Sequence, residues 1–256
     1  MPAERVPLLV LKQCDRQVLW ALLEYKQWHT EVFNRPIAAS MVGGARFGYA
    51  SCMSETGPLP RSPELMSPAE TGLLVVDVQG KLITLVPGHP RIIWNIRRLL
   101  DGAKILAVET AATEQYPKGL GPTVPELRER LGEIPAKTEF SCGACGGIFR
   151  GWEERGIFRV LLAGIEAHVC VQQTALDLMA AGFRVYLAVD AIGARHEVDY
   201  QTALRRMESA GATLTTTEAA LFEWCQCAGT PQFKEISRLV QETPPETQCG
   251  TPHDER

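Results

Sequence analysis

The chain has 256 residues, 45% apolar and 22% charged, with 22 glycines and 17 prolines. That profile excludes disordered, collagenous and fibrous classes and leaves room for one large α/β domain or two smaller ones, each with a sizeable core. A net charge of -4 offers no broad attraction to phosphate backbones or anionic membranes, so a small molecule or a protein is the expected partner and nucleic acid is not.

Eight cysteines, at 14, 52, 142, 145, 170, 225, 227 and 249, would suggest a disulfide framework in a short secreted chain. A chain this long needs no such staple, and its thiols are expected to be reduced. The apolar run from Pro7 to Leu11 is too short and wrongly flanked for a signal peptide. No stretch approaches the ~20 apolar residues of a membrane span, so the expected location is cytoplasmic and no membrane partner is expected.

Residues 1–70 read as an N-terminal extension and linker. Val18, Leu22, Tyr25 and Val32, with Trp20 and Trp28 between them, suggest an imperfect amphipathic helix. From Gly43 to Pro68 the chain is rich in Gly, Ser and Pro and reads as a linker. Met53 inside it is a candidate second start.

From residue 71 to 240 the pattern is regular. Gly72 to Asp77 is an apolar run ending in an acid, as expected of a strand buried on both faces. Ile92, Ile96, Leu99, Leu100 and Ala103 recur at helical spacing, and Lys104 to Val108 reads as the second strand. A helix is expected over 124–131 and another near 148–155. Strands follow at 158–165 and 184–190, a helix at 168–181 closed by Gly182, and a helix face of Tyr200, Ala203, Leu204, Met207 and Ala210 closed by Gly211. A strand over 212–217 and a helix over 233–240 complete the pattern, and 241–256 is a polar tail. Alternation of this kind predicts a three-layer, doubly wound α/β/α domain on a mainly parallel six-stranded sheet, with ligands at the carboxyl ends of the strands.

Three residues capable of concerted chemistry fall at those ends: Asp77, Lys137 and Cys170. A helix N-terminus favours a thiolate over a thiol, which predicts an activated Cys170. A neighbouring carboxylate can take the thiol proton and pass it to a leaving amine, and an ammonium can hold that carboxylate in place.

The segments Leu73-Leu-Val-Val-Asp77-Val-Gln79, Thr113-Glu-Gln-Tyr-Pro-Lys-Gly-Leu-Gly121, Lys137-Thr-Glu-Phe-Ser141 and Gly164-Ile-Glu-Ala-His-Val-Cys170-Val-Gln-Gln-Thr-Ala175 together resemble the isochorismatase-like cysteine hydrolase superfamily, above all its isochorismatase domain-containing members. The resemblance runs from about Gly72 to Val240 and implies the same Rossmann-like fold. It also implies an Asp-Lys-Cys catalytic triad at Asp77, Lys137 and Cys170, working through a thioester. In similar enzymes a non-proline cis peptide lies before the nucleophile, here Ile165–Glu166, and would aim the Glu166 N–H beside that of Cys170 as an oxyanion hole.

Nicotinamidases resemble this domain too, but carry an Asp and two His after the second strand, where this chain reads Glu109-Thr-Ala-Ala-Thr-Glu-Gln-Tyr-Pro117; neither metal nor other cofactor is expected. True isochorismatases have Gly in place of Cys170. The expected activity is therefore hydrolysis of an amide-like carbon–nitrogen bond in a small molecule, with Gln79, Thr113, Glu114, Gln115, Phe140 and His168 as pocket candidates. Relatives often assemble as homo-oligomers, which implies one here.

Two rival readings stand beside this one: a catalytically idle binding or scaffold protein, and a thiol redox protein using Cys142 and Cys145. A zinc site built from Cys142, Cys145, Cys225 and Cys227 lacks the usual spacing. The Gly143 to Gly147 stretch lacks the strand–GxGxxG–helix setting of a dinucleotide site.

Overall fold

A computed structural model describes residues 59–245. The amphipathic segment near Val18, the start at Met53 and the last residues of the polar tail lie outside the described residues. Six parallel strands form one sheet, β1 (Thr71–Val76), β2 (Glu109–Gln115), β3 (Ala136–Lys137), β4 (Arg159–Ile165), β5 (Arg184–Gly193) and β6 (Thr213–Thr215), in the order β3-β2-β1-β4-β5-β6. The predicted doubly wound α/β fold is the observed one.

Side-chain alternation along β1 explains the three layers. Leu73 and Val75 enter one core cluster, while Leu74 and Val76 enter the other, because successive strand side chains point to opposite faces. The first face is covered by α1 (His89–Leu106), α5 (Thr217–Cys225) and α6 (Pro231–Val240). The second is covered by α2 (Gly146–Glu153), α3 (Gln172–Ala180) and α4 (Glu197–Ser209). All six residues of β1 are buried, as a central strand with helices on both sides requires.

The sequence reading misplaced one strand. Lys104 to Leu106 are the last turn of α1, which ends where Ala107 adopts a left-handed backbone (φ 56°). The second strand is Glu109–Gln115, whose only apolar side chains are two alanines, so a search for apolar runs passes over it. Thr113, Glu114 and Gln115, read as following a strand, are its last three residues. The expected helix over 168–181 is also divided: a π-helical turn (Ala167–Val171) carries Cys170, and α3 starts after it. The apolar segment 219–222 lies in α5 with Ala220 and Leu221 wholly buried.

Residues 61–70, read as linker, are tied to the domain. Met66 is fully buried, its N–H donates to Glu223 Oε2 at 2.8 Å, and Tyr186 Oη donates to the Glu64 carbonyl at 2.7 Å.

Strand order reverses between β1 and β4, since β2 and β3 lie to one side and β5 and β6 to the other. Loops leaving the two central strands diverge there, and a crevice opens at their carboxyl ends. Gly164 lets the two backbones approach: its φ is +124°, and a Cβ there would fall 2.2 Å from the Val76 carbonyl oxygen. Asp77 follows β1, and the turn bearing Cys170 follows β4.

Candidate active site

Asp77 is wholly buried and adopts a left-handed backbone (φ 52°), a conformation rare outside Gly, Asn and Asp. Its N–H donates to the Thr113 carbonyl at 3.2 Å. Each carboxylate oxygen has a donor: Thr113 Oγ1 lies 2.8 Å from Oδ1, and Lys137 Nζ lies 2.6 Å from Oδ2.

Lys137 ends β3 and reaches across β2 to this carboxylate. Its ammonium also donates to Gln115 Oε1 at 2.9 Å, the Phe140 carbonyl at 3.0 Å and the Glu139 carbonyl at 3.2 Å. Burial by itself lowers the Lys137 pKa, but attraction from Asp77 and neighbouring groups carries it above the ordinary value. Lys137 and Asp77 therefore form an ion pair whose remaining hydrogen-bonding capacity is filled, the condition under which such a pair can be kept out of water.

Gln115 is held in turn. Its side chain donates to the Thr138 carbonyl at 2.7 Å, and its backbone N–H and C=O pair with Gln79 Oε1 (2.8 Å) and Nε2 (3.0 Å). Gln79 Nε2 also donates to the Gly121 carbonyl at 2.6 Å. The Gln79 carboxamide is thus occupied by backbone and offers nothing to a ligand, contrary to its expected place in the pocket. Thr113 and Gln115, also expected there, are buried behind Asp77 and Lys137 and orient them. Glu114 points elsewhere: its Oε1 accepts from the N–H and hydroxyl of Thr123 at 2.7 and 2.8 Å.

Cys170 is 4% exposed. Burial first, then the Asp77 charge, push its thiol well up, and Lys137 opposes them only in part. This corrects the expectation of a thiolate drawn from the helix terminus: desolvation outweighs the partial positive charge of a few free N–H groups. The Ile165–Glu166 peptide bond is cis. The Glu166 carbonyl accepts from the N–H groups of Val169 and Val171 at 3.1 and 3.3 Å but not from that of Cys170, and the Glu166 carboxylate accepts from Arg195 Nε at 2.9 Å.

Phe140 is 52% exposed while its carbonyl holds Lys137, so its ring lies at the surface beside the site. His168 Nε2 stands 3.8 Å from Asp199 Oδ2, two residues before Cys170. Cys142 was flagged only for redox or zinc chemistry, yet it belongs to this cluster. Its Sγ lies 3.2 Å from Thr113 Oγ1, and its N–H donates to Thr174 Oγ1 at 2.9 Å. Thr174, not foreseen, sits one helical turn after Cys170, a spacing that puts the two on one face.

Cys142 and Cys225 belong to clusters on opposite faces of the sheet, so the four-cysteine zinc arrangement does not form. Among the described residues no group of three or more His, Cys, Asp or Glu is placed to hold a metal ion. No described helix is long and apolar enough to cross a membrane.

Residues 71–219 match the isochorismatase domain family. Isochorismatase domain-containing protein 2 of Bos taurus and of Homo sapiens are each 40% identical to this chain over 181 residues, covering 70% of it and 87% of the relative. The solved structure of MAR1 ribonuclease from Caenorhabditis elegans superposes with a TM-score of 0.67 at 40% identity, over 75% of this chain and all of that one. The Escherichia coli YcaC gene product, described as an octameric hydrolase of unknown specificity, shares the fold with a TM-score of 0.64 at 24% identity, over 70% of this chain and 92% of that one.

Proposed function

Because the chain belongs to the isochorismatase domain family, we propose that it is a cysteine hydrolase that cleaves an amide-like carbon–nitrogen bond of a small molecule through a thioester on Cys170. The observation that carries this reading is the buried Asp77–Lys137 pair, 2.6 Å apart, beside the buried thiol of Cys170, whose pKa the Asp77 charge helps to hold up.

The chemistry runs in two halves. Asp77 takes the Cys170 proton as the sulfur attacks the carbonyl carbon, and Lys137 compensates the negative charge near the sulfur. The tetrahedral oxyanion is received by the backbone N–H groups of Glu166 and Cys170. Asp77 then protonates the departing nitrogen as the C–N bond breaks, leaving the acyl group on sulfur. In the second half a water gives its proton to Asp77 and attacks the thioester, and that proton returns to Cys170 as the acid leaves. Phe140 and His168, at the edge of the site, are the residues of the pocket set left to meet the substrate.

An idle scaffold has no use for an ammonium and a carboxylate both held out of solvent at the switch point of the sheet. A redox protein built on Cys142 and Cys145 is disfavoured because Cys142 is wholly buried and hydrogen-bonded. A homo-oligomer is part of the proposal, supported by the octamer described for the Escherichia coli protein, and sedimentation of the purified chain tests it.

A screen of small amides and ureides read out by ammonia release, with wild type beside Cys170→Ala, tests the activity. The Caenorhabditis elegans relative is named a ribonuclease, so RNA belongs in the same screen. Ammonia release lost in Cys170→Ala supports the reading; full turnover in that variant, or cleavage of RNA alone, overturns it.

A further inference from the structure

Cys142 Sγ lies 3.2 Å from Thr113 Oγ1, and Thr113 Oγ1 donates at 2.8 Å to Asp77 Oδ1. A threonine hydroxyl has one hydrogen, and an ionised carboxylate only accepts. With that hydrogen committed to Asp77, the contact with Cys142 is a hydrogen bond only if the thiol is the donor. Proton order along the chain is therefore fixed: Cys142 S–H to Thr113 O–H to Asp77 Oδ1.

The chain is anchored at its far end. Cys142 is fully buried, its N–H donates to Thr174 Oγ1, and the 3-10 turn it opens (Cys142–Cys145) is capped by Ser141, whose Oγ accepts from the Gly143 N–H at 3.1 Å. Thr174 stands on the helix that continues from Cys170. Cys142 thus fastens the segment after β3, the end of β2 and the helix after the nucleophile to one another.

We propose that Cys142 is a positioning residue of the hydrolytic site, its thiol the terminal donor of a buried, proton-ordered chain that holds the Asp77 carboxylate turned toward Cys170. The proposal rests on the reading of Asp77 as the base for Cys170. Donation from Cys142 polarises the Thr113 hydroxyl and strengthens its bond to Oδ1, since hydrogen bonds in series reinforce one another. Asp77 then holds the Cys170 proton less tightly than it would alone. The titratable groups facing Asp77 are Lys137 from β3, Cys170 from the turn after β4 and Cys142; Cys145 and Glu139 lie further out. A buried S–H is well suited to the role, because desolvation and the nearby carboxylate keep it protonated across the physiological range.

Two readouts that need no substrate test this. Infrared difference spectra against Cys142→Ser isolate the Cys142 S–H stretching band; it is expected at the low frequency of a donating thiol at neutral pH and moves up in Thr113→Val. The rate of Cys170 alkylation by iodoacetamide, mapped by mass spectrometry, is expected to fall about fivefold at pH 8 in Cys142→Ala, the size of one lost buried hydrogen bond. It returns to the wild-type value in Cys142→Ser, and Cys142→Ala has no effect on an Asp77→Asn background. Absence of the S–H band at neutral pH, a band unmoved by Thr113→Val, an equal loss in Cys142→Ser, or an undiminished effect on the Asp77→Asn background would overturn the proposal. Failure of the hydrolase reading appears separately, as absence of Cys170-dependent turnover in the amide screen.

Discussion

Lys137 Nζ and Asp77 Oδ2 are 2.6 Å apart, and neither side chain is more than 1% exposed. One strand separates their positions in the sheet: Asp77 leaves β1, Lys137 ends β3, and β2 lies between. The pair therefore joins three strand ends at the point where the proposed chemistry occurs, and in the proposed mechanism it serves both stability and catalysis.

Removing one member of a buried pair strands the other. Lys137→Met should lower unfolding stability by about 3–5 kcal/mol, measured by urea denaturation, and should abolish Cys170-dependent turnover. The double variant Lys137→Met, Asp77→Leu is expected to recover much of the stability and none of the turnover.

Burial and then the Asp77 charge push the Cys170 thiol up, so removing Asp77 should separate reactivity from catalysis. In Asp77→Asn the Lys137 charge acts on the thiol against burial alone, and alkylation of Cys170 by iodoacetamide near pH 7 should rise about tenfold, the equivalent of one pKa unit. Turnover should disappear at the same time, because no base remains to return the proton. Slower alkylation in this variant would contradict the assigned proton positions.

Stability against pH reports on the buried thiols. Burial, then the Asp77 charge, pushes the Cys142 thiol up to about 11, whereas an unfolded cysteine ionises near 8.5, so above about 8.5 the unfolded state releases a proton that the folded state keeps. The stabilisation is complete below about 8.5 and is lost as pH rises to 11, with a slope of about 1.4 kcal/mol per pH unit from each such thiol. Cys142→Ser should remove one proton's share of that slope in denaturation curves collected between pH 8 and 11. An unchanged slope would place the Cys142 pKa near that of a free cysteine.

How much of this was legible in the sequence follows from the physics of each element. β1 and β4 announced themselves because central strands buried on both faces are unbroken apolar runs. β2 did not, because its last three residues are polar and spend their side chains on Asp77, Thr123 and the segment around Lys137. Asp77, Lys137 and Cys170 could be named from chemistry and resemblance, but the π-helical turn that presents Cys170 was expected as the start of one continuous helix. The roles of Thr113, Gln115 and Gln79 could not, since whether a polar residue at a strand end faces a ligand or holds a catalytic group depends on pairings across β1, β2 and β3 that spacing does not encode. Cys142 was misread for a related reason: a Cys-x-x-Cys spacing suggests metal or redox chemistry until burial shows that its first thiol is enclosed beside a carboxylate.

Gly164 tests how tightly the two central strands must approach. Its φ of +124° and the 2.2 Å separation between a Cβ and the Val76 carbonyl oxygen make Gly164→Ala incompatible with the present spacing of β1 and β4. The variant should lose about 3 kcal/mol or more, at the high end for a single substitution, and its Cys170 should lose its selective response to Asp77→Asn. Thermal unfolding and alkylation kinetics on the same preparations measure both.

The central claim is that an acyl group passes through Cys170. Once the screen supplies an amide substrate, rapid acid quenching during turnover followed by peptide mass analysis tests it directly. The expected result is a transient acyl adduct on the Cys170 peptide that forms and decays at rates compatible with turnover and is absent in Cys170→Ala. Steady turnover with no adduct on Cys170, undiminished in Cys170→Ala, would contradict it.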